Sequence, residues 1–218
     1  MPQPTLATAP FTVDPDRVYT LDEWQMIEEM TGERYEYHEG KLVSVRAMAG
    51  GTGYHALIAG NLMFALGGLA RAKDANSETS NGNGAHVGCG VYSSDLRLMI
   101  KSEGRYVYPD AAVICGRPEY DTKIPTAVRN PLIVVEVTSP KSDDFDSTDK
   151  FDYYSTLESL RHYVLVSQAR PRVEVRSRVA PGEEWTVRVT DALDAEAPLS
   201  ALDAGLPLAE AYRLVEFG

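Results

Sequence analysis

The sequence contains little of what marks a secreted or membrane protein. Only two cysteines, Cys89 and Cys115, occur among 218 residues. They are too few for a disulfide framework, so a reducing cytoplasm is the expected compartment. The N-terminus has no apolar run of signal-peptide length, and no stretch approaches the length of a membrane span. We therefore expect a cytoplasmic protein without a membrane partner.

Basic residues are also scarce. The chain has 21 Lys and Arg against 32 Asp and Glu, which gives a net charge of −11. Proteins that bind nucleic acids normally carry a basic surface. The charge therefore argues against tight binding to DNA.

Two familiar binding motifs are incomplete. His86-x-x-Cys89 supplies half of a zinc site, and no second half is apparent. The glycine-rich stretch 50–53 lacks the Gly-Lys-Ser/Thr ending of a phosphate-binding loop. Neither zinc nor a nucleotide held by such a loop is expected.

The pattern of apolar residues predicts one α/β domain over 19–218, preceded by a flexible, proline-containing arm over 1–18. Length and a hydrophobic content of 44% suit a single core. The last segment, 198–217, is expected to pack on the domain or on a partner subunit. The other predicted elements are a helix at 20–31, a hairpin at 35–46, a helix at 54–71, a polar loop at 74–90, strands at 91–100, 111–115 and 132–138, a helix at 146–158, a strand at 160–167, and a hairpin at 172–179 and 185–190.

Two acids occupy unusual positions in this pattern. Pro109-Asp110 leads directly into the apolar strand 111–115, and Glu136 interrupts the β-branched run 132–138. Neighbouring strands can bring both carboxylates to one edge of the sheet. Buried carboxylates repel each other and are costly to desolvate, and a divalent cation between them removes both penalties. The alternative for each acid is a capped strand end or a partner for a buried Arg or Lys.

These acids belong to an ordered series of motifs over about residues 19–190. The series resembles the Uma2-type restriction endonuclease family of the PD-(D/E)XK nuclease superfamily. The resemblance implies a restriction-endonuclease-like αβββαβ core with a mixed central sheet, to which the pattern adds N- and C-terminal β-hairpins. The motifs are Tyr35-Glu36-Tyr37-His38-Glu39-Gly40-Lys41-Leu42, His55, Ser94-Asp95-Leu96-Arg97-Leu98, Pro109-Asp110, Val135-Glu136-Val137-Thr138-Ser139-Pro140, Lys150-x-x-x-Tyr154 and His162-Tyr163-Val164-Leu165-Val166.

The resemblance also implies a Mg²⁺- or Mn²⁺-dependent endonuclease acting on DNA. Asp110 and Glu136 would be direct metal ligands, and the carbonyl of Val137 would be a third. Hard cations of this kind prefer oxygen ligands. The metal would activate water and neutralise charge on the phosphate.

Thr138 stands where the superfamily pattern has a lysine. Lys150 is expected to take over that catalytic role, because it shares a helix face with Tyr154 near the strand ends. The alternative is a solvated lysine in the first turn of the helix. Lys141, in a polar loop, is a weaker candidate.

Further candidates for the site, or for contacts behind it, are Glu36, His55, Asp95 and Thr138. The resemblance places Glu36 near the metal, His55 near a substrate phosphate or behind the ligands, and Asp95 among the site acids. The alternatives are an exposed strand residue for Glu36 and a surface position for His55. For Asp95 the alternative is an ion pair with Arg97 or across the strands.

Two other functions stay open at this point. The missing lysine and the net charge fit a catalytically inactive binding or scaffold protein with a nuclease fold. The acidic surface also suits a metal-dependent hydrolase of small nucleotides. A homodimer is plausible because duplex DNA has two strands to cut.

Overall fold

The computed structural model describes residues 11–45, 52–76, 88–101, 104–138 and 149–217. Parts of several predicted features lie outside these ranges: the first ten residues of the arm, half of the glycine-rich stretch, most of the polar loop with His86, and the loop with Lys141. The rest forms a mixed α/β structure.

The helices and strands follow the predicted order closely. The helices are α1 (Leu21–Thr31), α2 (Gly53–Asn76), α3 (Asp149–Tyr154) and α4 (Leu208–Ala211). The strands are β1 (Tyr35–His38), β2 (Lys41–Ser44), β3 (Cys89–Ser93), β4 (Arg97–Lys101), β5 (Arg105–Val107), β6 (Ala111–Cys115), β7 (Ala127–Val128), β8 (Ile133–Thr138), β9 (His162–Ser167), β10 (Val173–Ser177), β11 (Thr186–Thr190), β12 (Glu196–Leu199) and β13 (Ala204–Pro207).

The chain forms two large sheets. The six-stranded sheet has the order β11-β10-β9-β8-β6-β3, and it is mixed because β8 runs parallel to β9 while β6 runs antiparallel to β8. The five-stranded sheet has the order β2-β1-β5-β4-β7. The chain passes between the two sheets several times, and it does so after β3 and after β5. The crossing after β5 contains Pro109-Asp110.

The two faces of the six-stranded sheet are buried by different elements. On one face, α2 and the C-terminal segment cover residues such as Val135 and Val164. On the other face, α3 and strands β4 and β5 cover residues such as Val134 and Tyr163. Because both faces are covered, β8 is buried along its whole length. This explains its nearly continuous run of β-branched residues.

Both predicted hairpins are present. Strands β1 and β2 turn at Glu39-Gly40, where both residues adopt positive φ. Strands β10 and β11 form the C-terminal hairpin. Helix α1 begins with a capping box, in which the side chains of Thr20 and Glu23 each accept from the other's backbone N–H. The final segment packs on the domain itself.

The predicted strand over 91–100 is wrong in one respect. A turn at 94–96 divides it into β3, which pairs with β6, and β4, which pairs with β5. The two halves therefore lie in different sheets, and Asp95 lies in the turn between them. Alternation along one strand cannot show such a turn, because each half by itself has strand character.

The two cysteines are bonded to each other. Cys89 and Cys115 lie opposite one another on β3 and β6, with a disulfide between their Sγ atoms. The sequence did not lead us to expect this bond, because the pairing depends on strand register. Cys89 is therefore not available as a thiolate ligand in this state. The cytoplasmic location stays a prediction.

Helix α2 corrects a second expectation. It reaches Asn76, beyond the predicted end at 71. By length and composition alone, it is long and apolar enough to cross a membrane. However, its side bearing Ile58, Leu62 and Leu66 packs on the sheet as part of the core.

Candidate active site

Asp110 fastens the start of β6 to β8. The paired residues of these strands end at Ala111 and Val135. Beyond that point, Oδ2 of Asp110 accepts a hydrogen bond of 2.7 Å from the backbone N–H of Val137. The carboxylate thus replaces a backbone partner next to Glu136. Its side chain is 17% exposed, so ligands can still reach it.

His55 reaches the same carboxylate from helix α2. Its Nε2 lies 3.3 Å from Oδ2 of Asp110. The start of α2 is held in place by Thr52, whose hydroxyl accepts from the N–H of His55 and donates to Gln168. Gln168 in turn donates its N–H to the carbonyl of Thr138. The end of β8 therefore positions His55 beside Asp110.

Glu136 is buried and held by two donors from α3. Lys150 Nζ lies 3.1 Å from its Oε2, and the hydroxyl of Tyr154 donates to Oε1 at 2.9 Å. The two donors are one helical turn apart, so they project from the same face of α3. A buried carboxylate that lacks such partners would be strongly destabilising.

The phenol of Tyr154 remains protonated. Burial raises the pKa of Tyr154 well above its ordinary value, and the negative charge of Glu136 raises it further. Tyr154 is therefore a fixed hydrogen-bond donor to Glu136. Glu36 also contributes to raising this pKa, which places its charge near the same cluster.

Glu36 is buried behind the site on β1. It accepts a hydrogen bond of 2.8 Å from Nε2 of His38, and its other oxygen lies 3.4 Å from the N–H of Tyr108. Its exposure is 1%, so the alternative of an exposed strand residue is wrong. His38 was missing from the candidates, although alternation along β1 places it on the same face as Glu36.

The carbonyl of Val137 faces the Asp110 side of β8. The N–H and C=O of one strand residue point to the same edge, and neighbouring residues point to opposite edges. Val137 donates its N–H to Asp110, whereas Thr138 accepts from Gln168 on the β9 side. The predicted third ligand is therefore oriented toward Asp110. Thr138 itself is buried.

Asp95 is separate from this arrangement. Its side chain is 71% exposed and forms an ion pair with Arg34. Arg97, the partner considered from the sequence, instead pairs with Glu28. Its contacts therefore do not place Asp95 among the site acids.

The site offers few ligands for a hard cation. Within the described ranges, no group of three or more His, Cys, Asp or Glu could hold a metal ion. The site offers two carboxylates and a backbone carbonyl instead. Mg²⁺ is commonly bound through one or two carboxylates, with water and substrate phosphates completing its shell. The oxygen donors are therefore chemically suited to Mg²⁺ or Mn²⁺.

One family model and two relatives match most of this chain. A family described as "Uma2: Putative restriction endonuclease" matches residues 18–209. The "Uncharacterized protein sll1609" of Synechocystis sp. is 28% identical over 169 residues, or 78% of this chain and 85% of that protein. The "Uncharacterized protein slr1290" of the same organism is 27% identical over 166 residues, or 76% of this chain and 77% of that protein.

One solved structure supports the fold. The crystal structure of "a putative nuclease belonging to DUF820" from Anabaena variabilis superposes with a TM-score of 0.64. The match covers 90% of this chain and 99% of that chain at 18% identity. It confirms the restriction-endonuclease-like core predicted from the sequence.

Proposed function

The chain belongs to the Uma2 family, whose description is "Putative restriction endonuclease", and from this premise we propose that it is a Mg²⁺- or Mn²⁺-dependent endonuclease that hydrolyses phosphodiester bonds in DNA. The family and the fold support the coarser statement, a nuclease-like function. The observation that carries the finer one is the buried pair of Glu136 and Lys150 beside the Asp110–Val137 contact.

In this proposal, Asp110, Glu136 and the carbonyl of Val137 hold the metal. When bound, the metal supplies Lewis-acid stabilisation of the charge on the phosphate and lowers the pKa of water. Tyr154 keeps one oxygen of Glu136 in a fixed direction. His55 positions Asp110 in the same way.

Lys150 takes the place of the lysine that the superfamily pattern has at position 138. Its ammonium group lies at Glu136, so it can position the attacking water and donate to the phosphate oxygens. Such donors act strongly because the site is largely shielded from water. Lys141 stays a rival that the described residues do not address.

Calorimetric titration of Mg²⁺ and Mn²⁺ tests the proposal without a substrate. We expect heat of binding with the wild type and little or none with Glu136→Gln. The matched control is Glu174→Gln, which changes a glutamate paired with Arg172 and Arg176 on β10. Nicking of supercoiled plasmid in Mn²⁺ then tests catalysis. Wild-type nicking by both Asp110→Asn and Glu136→Gln would contradict the proposal.

A catalytically inactive protein is the second candidate. Both carboxylate oxygens of Glu136 already accept hydrogen bonds within the chain, so the site is electrostatically satisfied without a metal. Metal binding without cleavage of any nucleic acid would select this alternative. Cleavage of mononucleotides or short oligonucleotides in preference to duplex DNA would select a small-nucleotide hydrolase, which the net charge of −11 favours.

A further inference from the structure

Helix α2 is apolar on all sides, yet only one side is buried by the described chain. Between Ala56 and Ala70 it has no Asp, Glu, Lys or Arg, although the protein carries 53 such residues. The inner side, with Ile58, Leu62, Leu66 and Ala70, packs in the core. A helix that is hydrophobic all round is normally covered all round. Its outer side therefore needs an occupant.

The outer side carries a row of every fourth residue. Ala56, Gly60, Phe64, Gly68 and Ala72 are all exposed, and Phe64 is 76% exposed at the centre. The row reads the same in both directions, Ala-Gly-Phe-Gly-Ala. Exposed polar residues at 52 and 76 extend the symmetry at both ends.

The glycines of this row have no role in the internal packing. A Cβ added at Gly60 or at Gly68 would meet no heavy atom within 4 Å. Glycine in the middle of a helix is destabilising relative to alanine. Close packing of another molecule against the helix can offset this cost in stability. Glycine permits such packing because it has no side chain.

We propose that this row is the contact between two copies of the chain, packed antiparallel about a two-fold axis at Phe64. A two-fold axis requires a self-complementary surface, and a palindromic row provides one. Phe64 of each copy would lie between Gly60 and Gly68 of the other copy, in the space that the missing side chains leave. Two rows of i, i+4 residues pack at about −50° between helix axes.

The contact is small. The row from Ala56 to Ala72 is only about 24 Å long. A contact along this row alone is therefore smaller than a standard interface, which buries about 800 Å² on each partner. We therefore expect a dimer in concentration-dependent equilibrium with the monomer. The absence of charge from the row allows two molecules of the same strong net charge to approach at this place.

Sedimentation velocity over a range of concentrations tests the proposal. We expect the wild type to shift from monomer to dimer, and Phe64→Glu to stay monomeric. The matched control is Met30→Glu on α1, where the residue is 77% exposed, and this variant should dimerise like the wild type. A monomeric wild type at all concentrations, or a Phe64→Glu variant that dimerises normally, overturns the proposal.

Gly68→Leu separates the contact from the fold. Leucine favours the helix and meets open space in the monomer, so the Tm of the monomer should rise. The same side chain should block close approach and weaken the dimer. Undiminished dimerisation of this variant would count against the packing described.

Cross-linking determines the orientation. Phe64→Cys should form a symmetric intermolecular disulfide, and a mixture of Gly60→Cys with Gly68→Cys should form a mixed one. The native cysteines are already bonded to each other. Self-cross-linking of Gly60→Cys alone would indicate a parallel pair and overturn the geometry. Binding of a monomeric wild type to phosphatidylcholine vesicles, lost in Phe64→Glu, would assign the row to a lipid surface instead.

Discussion

Two glutamates, the largely buried Glu28 and the buried Glu136, have the same types of partner in different parts of the molecule. Glu136 is held by Lys150 and Tyr154 at the six-stranded sheet. Glu28, on α1, is held by Arg97 and Tyr108 at the five-stranded sheet. Each set combines a carboxylate, a cation and a phenol. Composition alone would therefore nominate either as a site.

The difference lies in the cation and in the surroundings. The guanidinium of Arg97 donates to Glu28, Tyr108 and Thr126, and it stacks 4.5 Å from the ring of Trp24. The planar guanidinium thus has partners on several sides, as expected of an ion pair that stabilises the fold. Lys150 is a compact charge whose carboxylate partner lies next to a second acid, Asp110.

The comparison shows that burial of an acid does not identify a site. The Glu28 network lines a cleft of about 430 Å³, with Arg34 and Asp95 at its rim. Within the described residues, it nevertheless lacks a counterpart of Asp110, a second carboxylate that accepts from the backbone next to the first acid. Two acids brought to one strand end, rather than a cavity beside one acid, distinguish the Glu136 region.

The largest expected effect is on stability at the Glu28 network. Glu28→Ala leaves the largely buried guanidinium of Arg97 without its counter-charge, so we expect a loss of about 3 kcal/mol or slightly more in the free energy of unfolding. Urea denaturation measures it. Glu29→Ala, at an exposed position on the same helix, should change it by less than about 0.5 kcal/mol. Equal losses for the two variants would show that Glu28 contributes no more to stability than an exposed glutamate.

Lys150→Arg tests the other network. Arginine keeps the positive charge beside Glu136, so the fold should survive, but its longer planar group cannot replace a compact donor. We expect plasmid nicking to fall about 10²–10³-fold. Lys73→Arg, at a surface ion pair with Asp203, is the control. Unchanged nicking by Lys150→Arg would indicate that the Glu136 network, like the Glu28 network, only stabilises the fold.

A third buried polar group should dominate the acid sensitivity of the fold. Burial lowers the pKa of His162 from 6.5 to about 4, and its neutral ring accepts from the N–H of Ala201. The unfolded chain takes up the proton first as pH falls, so stability is full above pH 6.5 and declines toward pH 4. At 1.36 kcal/mol per unit the loss reaches about 3 kcal/mol. His162→Gln should flatten this dependence in urea titrations at several pH values. If the free energy of unfolding of His162→Gln depends on pH as in the wild type, other groups cause the acid sensitivity.

The smallest effects come from removing one hydroxyl from each network. Tyr108→Phe deletes a donor to the largely buried Glu28, and Tyr154→Phe deletes a donor to the buried Glu136. Each costs about 1–3 kcal/mol in stability. Only Tyr154→Phe should also reduce nicking per folded molecule, because it alone orients Glu136. Similar nicking by both variants would indicate that Tyr154 only stabilises the fold.

The sequence predicted local structure well where one strong signal was present. The hairpin at Glu39-Gly40, the capping box at Thr20 and the buried strand around Glu136 all follow from turn chemistry, capping and apolar runs. It failed for the strand over 91–100, where one apolar pattern covers two strands in different sheets.

The site was predictable only in part, for the same reason. Alternation and helical spacing brought Lys150 and Tyr154 to one face, and the structure places both at Glu136. The partner of Asp95, Arg34, and one partner of Glu36, Tyr108, lie far away in sequence. Arg34 and Asp95 are separated by 61 residues, and no local pattern relates them. Whether these residues act on a phosphate stays a proposal.

The amino-acid sequence by itself determined which segments become strands and helices, and that an acid must be buried within β8. It did so because periodicity, caps and turns act within a few residues. Tertiary structure alone decided that Asp110 binds the N–H of Val137, that Cys89 meets Cys115, and that one side of α2 is left exposed. These outcomes depend on strand register and on the packing of distant segments, which short-range patterns do not encode.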